Sequence, residues 1–426
     1  MFFLPTRYLL VVGTFCLSVL LYVDRACIAT AKDAVVQDLL LTDEQWAWVL
    51  ASFAFGYALF QTPGGMMADR LGSRGVLTAV VASWSVFTGM TAMAWNFSSL
   101  MVIRFLFGAG EAGAFPGLAK VVYAWIPVQE RGLVKGVNFS GSRIGAALAM
   151  PLISALIVAL GWKATFVVLM LVGFAWSTFW WCWFRNDPAE HTSISEQERQ
   201  YIVSHRQKDT SLPTAFKPAW RSQLWTTVHM LTSANLWLMM AQYFASNFTF
   251  FFSLTWLYPY VKSTYNLGAI GAGYAAMIPL LAGALGNVVS GAWVDHLYRH
   301  GWSDWSRKLP AIVGFLLAAI GMVMSLNQAS VAGAVFWLSI AIFGADMTLS
   351  PSWSFCIDIG GRNAGAVSGT MNMAGNLGSA ITALAFAYMP KSSQGNSAFF
   401  YTAATLSILA IGCWAMADSK KKMESI

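Results

Sequence analysis

Charged residues are scarce in this sequence. Asp, Glu, Lys and Arg make up 11% of the 426 residues, whereas ordinary globular chains carry about 25%. Hydrophobic residues make up 57%, so the chain could not cover a soluble fold of this length with a polar surface. This composition excludes most soluble enzymes, secreted disulfide-bonded domains and nucleic-acid-binding proteins. The long apolar runs indicate instead a protein that crosses a lipid bilayer many times.

Cysteine and histidine are also rare, at five residues each. The cysteines lie in or beside apolar runs, and an odd number without paired spacing gives no disulfide framework. His296 and His300 have a four-residue spacing but no acidic or cysteine partners, so we expect no metal site there. No polar region carries a set of nucleophile, base and orienting residue. We therefore predict neither an enzyme nor a cofactor.

The apolar runs divide into twelve predicted spans. Each has roughly the 20 residues that a membrane-crossing helix needs, whereas strands of a barrel would be about half as long and alternating. The first run carries charge near its end and lacks a small-residue cleavage site, so we expect it to remain as a span. The predicted spans are 8–31, 45–67, 76–95, 99–123, 132–160, 163–184, 234–261, 269–293, 309–326, 329–355, 363–389 and 397–416.

The longest polar stretch, 186–221, separates six spans from the other six. We predict an N-terminal six-helix half (1–185), a cytoplasmic central loop (186–233), and a C-terminal six-helix half with a short cytoplasmic tail (234–426). Ser195 and Glu198 have the spacing of a capping box, which predicts a short helix in the loop. That helix is either an ordinary loop element or also a tether between two moving halves.

Lysine and arginine are distributed unevenly between the two sets of span ends. Eighteen lie at one set, among them Arg131, Lys135 and Arg307, and only four lie at the other. By the positive-inside rule the richer set is cytoplasmic, as are both termini. This distribution accounts for the net charge of +7 without a nucleic-acid partner.

A short motif occurs in both halves. Gly65 and Asp69 close the second span with the pattern Gly-x-x-x-Asp, and Gly291 and Asp295 close the eighth span in the same way. A repeat at matching places in two six-span halves indicates a duplicated transporter.

Several motifs carry a resemblance to a known family. The segment Gly-Gly-Met-Met-Ala-Asp-Arg-Leu-Gly-Ser-Arg-Gly at 64–75 resembles the loop signature of the major facilitator superfamily. Tyr-Val-Asp-Arg at 22–25, the stretch from Arg104 to Pro116, and Asp-Pro-Ala-Glu-His at 187–191 resemble its anion:cation symporter family, which includes transporters of D-galactonate, hexuronates and glucarate. The resemblance covers nearly the whole chain. It implies an all-α membrane protein of twelve transmembrane helices in two pseudo-symmetric halves, which takes up an organic anion by alternating access, usually with protons.

Apart from the basic residues counted at the span ends, seven charged residues lie inside predicted spans, where an ionisable side chain is expensive and therefore indicates function. Arg104 and Glu111 are seven residues apart, so they share one face of the fourth span. The fork of Arg104 matches a carboxylate, and Glu111 in an apolar setting suits a group that binds and releases a proton. Asp24 could pair with Arg104; the alternative is a permanent ion-pair lock between helices. The seven are Asp24, Arg25, Arg104, Glu111, Lys120, Arg143 and Asp346.

The resemblance assigns roles to further residues. In galactonate-type transporters the residues matching Asp24 and Glu111 take part in proton coupling, and the match of Arg104 belongs to the same charge network. The predicted substrate-binding residues are Tyr22, Tyr57, Arg104, Ser350, Trp353 and Asn372. For the two tyrosines, interhelical packing is the alternative. Asp69, Arg70 and Arg74 match the superfamily's gating loop.

A second group of residues is left as a possible substrate or charge network. Arg25 is adjacent to Asp24 and therefore faces about 100° away from it, and we rank it below Arg104. Arg143 and Asp346 depart from the galactonate type. Arg143 could grip a second carboxylate, neutralise Asp346, or extend to the cytoplasmic end of its span. The group is Arg25, Ser142, Arg143, Gln242, Asn247, Asp346 and Asn376.

The sequence therefore predicts a secondary active transporter that couples proton entry to uptake of an organic monoanion such as a hexonate or hexuronate. We expect it to act as a monomer in the inner membrane of a bacterium, with no cofactor. An anion exchanger or uniporter on the same fold is the alternative. A non-transporting membrane sensor is a further one, against which the short tails argue.

Overall fold

The computed structural model describes residues 5–207, 230–326, 328–388 and 397–423. Long helices dominate it, and we number the twelve longest elements α1–α12. The first six are α1 (Thr6–Thr30), α2 (Asp43–Leu71), α3 (Ser73–Thr91), α4 (Phe97–Glu111 and Ala114–Trp125), α5 (Arg131–Leu160) and α6 (Trp162–Trp183). The second six are α7 (Ala234–Thr255 and Leu257–Thr264), α8 (Ala269–Arg299), α9 (Ser303–Met324), α10 (Val331–Met347 and Leu349–Gly360), α11 (Ala364–Tyr388) and α12 (Ser397–Met416).

The remaining described helices are short. They are Lys32–Leu39, Glu196–His205, and three single 3₁₀ turns at Val128–Glu130, Pro188–Glu190 and Gly361–Asn363. Six stretches of the described chain are long and apolar enough to cross a bilayer by length and composition alone, and one of them, Val331–Thr382, contains most of α10 and α11.

Three spans are broken, although the sequence predicted each as one continuous helix. The breaks lie at residues 112–113 in α4, at Trp256 in α7 and at Thr348 in α10. Pro116, Pro259 and Pro351 each follow a break by three or four residues. A proline has no N–H to donate to the carbonyl four residues before it, so the helix ladder is already interrupted at each break.

Two matching clamps join the two halves at one end of the bundle. The Asp69 carboxylate accepts the N–H groups of Gly365 and Ala366, at 3.0 and 2.8 Å. The Asp295 carboxylate accepts those of Gly132 and Leu133, both at 2.8 Å. Each acid therefore caps the first turn of a helix in the other half, where the helix dipole favours a negative charge. This arrangement agrees with the duplication that the repeated Gly-x-x-x-Asp predicts.

The glycines of the repeat make these clamps sterically feasible. A Cβ on Gly65 would overlap the backbone carbonyl of Gly365, and a Cβ on Gly291 would overlap that of Gly132. Backbone thus packs directly against backbone where α2 meets α11 and where α8 meets α5. We call the end of the bundle that carries the two clamps the basic end.

Several basic residues at this end are buried, contrary to the expectation that they mark solvent-facing loops. Arg131 and Arg307 share the carboxylate of Asp358, at 2.6 and 3.1 Å. Lys120 lies 3.6 Å from Asp69 and donates to the Arg362 carbonyl. The Arg131–Asp358 pair and the Lys120 hydrogen bond to Arg362 thus join the two halves in addition to the two clamps.

The predicted helix of the central loop is present at Glu196–His205, and Ser195 caps it by accepting the N–H of Glu198 at 3.2 Å. In the predicted capping box, the Glu198 side chain would in turn accept the backbone N–H of Ser195. The Glu198 carboxylate instead accepts the N–H groups of Thr6 and Arg7, at 2.9 Å each, and so caps the start of α1. The loop helix is therefore fixed to the N-terminal half. Residues 208–229 of the loop lie outside the described part.

Candidate functional site

A narrow cavity of about 30 Å³ lies between the two halves, near the middle of the bundle. Its walls come from α1, α2, α4 and α5 on one side and from α7, α10 and α11 on the other. Eight residues that the sequence singled out line it: Tyr22, Arg25, Tyr57, Arg143, Asn247, Trp353, Asn372 and Asn376. Six further residues complete the lining: Phe115, Phe139, Tyr243, Phe250, Phe251 and Leu349.

Arg25 on α1 is one of two cations that the N-terminal half presents to this cavity, the other being Arg143 on α5. Its Nε donates to Glu111 Oε1 at 2.5 Å, and its guanidinium carbon lies 4.3 Å from the ring centre of Tyr57 and 5.2 Å from that of Tyr22. Glu111 is fully buried, and within the described residues its second oxygen has no hydrogen-bond partner. A cavity-facing arginine is thus held by a carboxylate that is only half satisfied.

Arg104, which we ranked above Arg25, does not line the cavity. It is buried behind the wall, with its guanidinium carbon 4.4 Å from the ring centre of Phe107 and 5.2 Å from that of Phe53. The orientation of α1 about its axis points Arg25 toward the cavity, whereas Arg104 on α4 lies outside the cavity lining. The predicted ranking of the two arginines is therefore reversed by their positions.

Asp24 points away from the cavity, as its adjacency to Arg25 requires. Its Oδ2 accepts the indole N–H of Trp84 at 2.9 Å, and Oδ1 has no partner among the described residues. Asp24 and Glu111 are close enough to interact electrostatically with each other and with Arg104. The three buried charges therefore lie near one another behind the cavity wall, but the contacts of Asp24 and Glu111 are with Trp84 and Arg25, and the pairing of Asp24 with Arg104 stays a prediction.

Arg143 and Asp346 form a bidentate ion pair between the halves. Arg143 Nε and Nη2 donate to the two carboxylate oxygens at 2.8 and 2.5 Å, and both side chains are at most 3% exposed. The guanidinium carbon also lies 3.5 Å from the ring centre of Phe250. Of the three possibilities that the sequence left open for Arg143, this geometry corresponds to neutralisation of Asp346.

The C-terminal half supplies a hydrogen-bonded polar wall. Trp353 Nε1 donates to the hydroxyl of Tyr243 at 2.8 Å, and Asn376 Nδ2 donates across the halves to Gln61 Oε1 at 3.2 Å. Tyr243 was not predicted from the sequence. The prediction named its neighbour Gln242, which faces about 100° away from Tyr243 on α7. The spacing of Tyr243 and Asn247, four residues apart on one face, was the signal that could have found it.

Three predicted binding residues lie elsewhere. The Ser350 hydroxyl donates to the Gly132 carbonyl at 2.6 Å, beside the α5–α8 clamp. Gln242 faces α12, where its side-chain oxygen accepts from Trp414 Nε1 at 3.3 Å. Ser142 is buried outside the cavity lining. In each case the helix turns the side chain toward a neighbouring helix and not toward the cavity.

The predicted gating residues divide into two groups. Asp69 forms a clamp between the halves, whereas Arg74 donates to the Trp181 carbonyl at 2.9 and 2.7 Å and stays within the N-terminal half, at the end of α6. Arg70 is exposed at the end of α2. Among the described residues no group of three potential metal ligands comes together.

The lining suits a small, hydroxylated anion. A guanidinium binds a carboxylate, amides and phenol hydroxyls bind sugar hydroxyls, and aromatic rings cover the apolar faces of a sugar carbon chain.

Comparison with known proteins agrees with this geometry. The family model described as Major Facilitator Superfamily matches residues 14–383. A protein of Cupriavidus necator named "Probable sulfoacetate transporter" is 30% identical over 91% of this chain and 88% of its own length. A D-galactonate transporter of Escherichia coli is 30% identical over 95% of this chain and 94% of its own. The solved structure of a proton:xylose symporter is similar in fold, with a TM-score of 0.75 at 15% identity over 98% of both chains.

Proposed function

The chain belongs to the Major Facilitator Superfamily, and from this premise we propose that it couples proton entry to the uptake of an organic monoanion of the sugar-acid type. Its membership and its fold confirm the predicted twelve-helix class and the prediction that it is a transporter and no enzyme. The D-galactonate transporter among its relatives supports a hexonate as the substrate class.

The contact between Arg25 and Glu111 at the cavity wall carries the proposal. While Glu111 is ionised, it holds the guanidinium that a substrate carboxylate needs. A proton on Glu111 removes that competition, because a neutral carboxyl no longer forms an ion pair with Arg25. The substrate carboxylate then takes the place of the Glu111 carboxylate as the partner of Arg25. Proton and anion therefore enter the site together.

Asp24 and Arg104 extend this coupling to a second buried acid. Protonation of Glu111 changes the field at Asp24, because the two buried acids lie close enough to interact electrostatically. Asp24 is held by Trp84 on one oxygen, so its other oxygen is available for a proton. We assign proton coupling to Glu111 and Asp24, and substrate binding to Arg25 with Tyr22, Tyr57, Trp353 and Asn372.

Transport also requires alternating access, and access from the basic end depends on the two clamps. In this structure Asp69 and Asp295 hold the halves together at the basic end. We assign that end and both termini to the cytoplasm of a bacterial inner membrane, with the chain acting as a monomer. Release of the anion then requires both clamps to open and the two halves to rotate apart at this end.

A reconstituted transport assay tests the proposal. Thermal unfolding of the purified protein with D-galactonate, D-gluconate, D-glucuronate and sulfoacetate first identifies the anion that stabilises it. In proteoliposomes that anion is expected to cause alkalinisation of the outer medium and to accumulate with an inward proton gradient. Glu111→Gln is expected to abolish accumulation but keep counterflow, whereas Arg25→Gln abolishes both.

Glu44→Gln is the matched control, because Glu44 is an exposed acid at the start of α2. It is expected to behave as the wild type. Transport that ignores both the proton gradient and Glu111→Gln would refute the coupling. Counterflow without any net uptake by the wild type would favour the exchanger.

A further inference from the structure

Lys135 is a buried cation that the proposed transport cycle has not used. It lies one turn into α5 with no exposed surface. Within the described part of the chain, no acceptor lies within hydrogen-bond distance of its Nζ. Its nearest aromatic neighbours are Trp353, whose ring centre is 4.5 Å from Nζ, and Phe139, at 5.7 Å. A buried, unpaired ammonium is strongly unfavourable, so its presence needs a reason.

The position of Lys135 along α5 supplies the first part of that reason. Arg131, Lys135, Phe139 and Arg143 recur every fourth residue, so they follow one side of the helix at steps of about 6 Å. Arg143 and Phe139 line the cavity, and Arg131 pairs with Asp358 at the basic end. Lys135 therefore lies between the cavity and the basic end, on the same helix side as both.

A layer of rings separates Lys135 from the cavity. Phe115, Phe139 and Trp353 all line the cavity, and their ring centres are 5.4 to 5.8 Å apart. We call these three rings the aromatic floor. Arg25 lies above this floor in the cavity wall, and Lys135 lies at the Trp353 ring on the side toward the basic end.

The second part of the reason is that the neighbouring cations have carboxylate partners, whereas Lys135 has none in the described part of the chain. Arg25 has Glu111, Arg143 has Asp346 and Arg131 has Asp358 as carboxylate partners. For Lys135 the described residues provide none. These three arginines are thus neutralised by acids of the protein itself. Lys135, between the cavity and the basic end, has no such counter-ion among the described residues.

We propose that Lys135 is a second anion-binding site, which takes the substrate carboxylate when the halves open at the basic end and the aromatic floor separates. The carboxylate leaves Arg25 and pairs with the Lys135 ammonium before it reaches water. This inference rests on the proposed transport of an organic anion, but not on proton coupling.

Half-saturation measured separately from the two faces tests the site. The probe is radiolabelled D-galactonate, replaced by sulfoacetate or D-glucuronate if the binding panel ranks either higher. In Lys135→Met we expect half-saturation of counterflow from the basic end to require at least about tenfold more anion, while half-saturation from the opposite end changes by less than about twofold. Lys135→Arg retains the charge and is expected to restore the basic-end value to within about threefold.

Two further variants make the result unambiguous. Lys135→Gln replaces the ammonium by a neutral polar group, and must repeat the asymmetric effect if Lys135→Met folds poorly. Lys163→Met removes a lysine that is 54% exposed and paired with Asp38, and must leave both values unchanged. Equal weakening at both faces, or no change at either, overturns the inference. Because counterflow needs no proton gradient, failure of the Glu111→Gln series leaves this test intact.

Discussion

The ion pair of Arg143 and Asp346 should be energetically coupled far more strongly than a surface pair. Both charges are buried and joined by two hydrogen bonds. Removal of one partner leaves an uncompensated buried charge, which costs about 3–5 kcal/mol in the free energy of unfolding. Arg143→Met is expected at the upper end of that range, because it also removes the contact with Phe250. Asp346→Asn is expected near the lower end, because Arg143 keeps this aromatic neighbour.

The double variant carries the decisive measurement. Arg143→Met with Asp346→Asn leaves no buried charge, only an amide short of partners, so it should cost about 1–3 kcal/mol. The two single losses sum to about 8 kcal/mol, which exceeds the loss in the double variant by about 5–7 kcal/mol. Unfolding in mixed micelles, followed by tryptophan fluorescence, gives all four free energies. The exposed pair Lys163 and Asp38, 2.8 Å apart, is the matched control, with an expected coupling of about 0.2–1 kcal/mol. Additive singles below about 1 kcal/mol each would show that Arg143 is solvated, and would refute the placement.

Three further predictions concern the gate and the cavity. Asp69→Asn weakens two charge-assisted hydrogen bonds of about 1.5–3 kcal/mol each, and should increase the labelling of the buried Cys356 by a thiol reagent from the basic end; an unchanged rate would contradict the clamp. Gly136→Ala places a Cβ against the α8 backbone and should increase the same labelling, whereas slower labelling would show that the contact does not close the basic end. Tyr243→Phe removes the acceptor of the Trp353 N–H and should weaken sugar-acid binding about tenfold, measured by calorimetry; unaltered binding would remove this wall from the site.

The sequence was sufficient for the architecture because the bilayer imposes a length and a polarity on each span. The duplicated Gly-x-x-x-Asp was equally informative, since Asp69 and Asp295 form equivalent clamps. Residues such as Trp353 and Asn372 were named from the resemblance, and they do line the cavity.

Helix rotation and partner helices were not predictable in the same way. Spacing gives the angle between two residues on one helix, but not which of them faces the cavity. This is why Arg25 and Arg104 exchanged ranks, and why Gln242 was preferred to its neighbour Tyr243. Lys135 was counted among the basic residues at the span ends, because hydropathy ignores the helix that covers it, namely the Trp353 segment of α10.

The breaks in α4, α7 and α10 determine where this protein can deform at little expense. Bending a continuous helix sharply requires a backbone hydrogen bond to be stretched or lost. At Trp256 and Thr348 the following proline has already removed that bond, so the two pieces can tilt with respect to each other without losing another. Phe251 and Leu349 lie within a few residues of these two breaks and line the cavity. The cavity is thus built at the most compliant points of an otherwise stiff scaffold, and local tilting can narrow it before the halves move as rigid bodies.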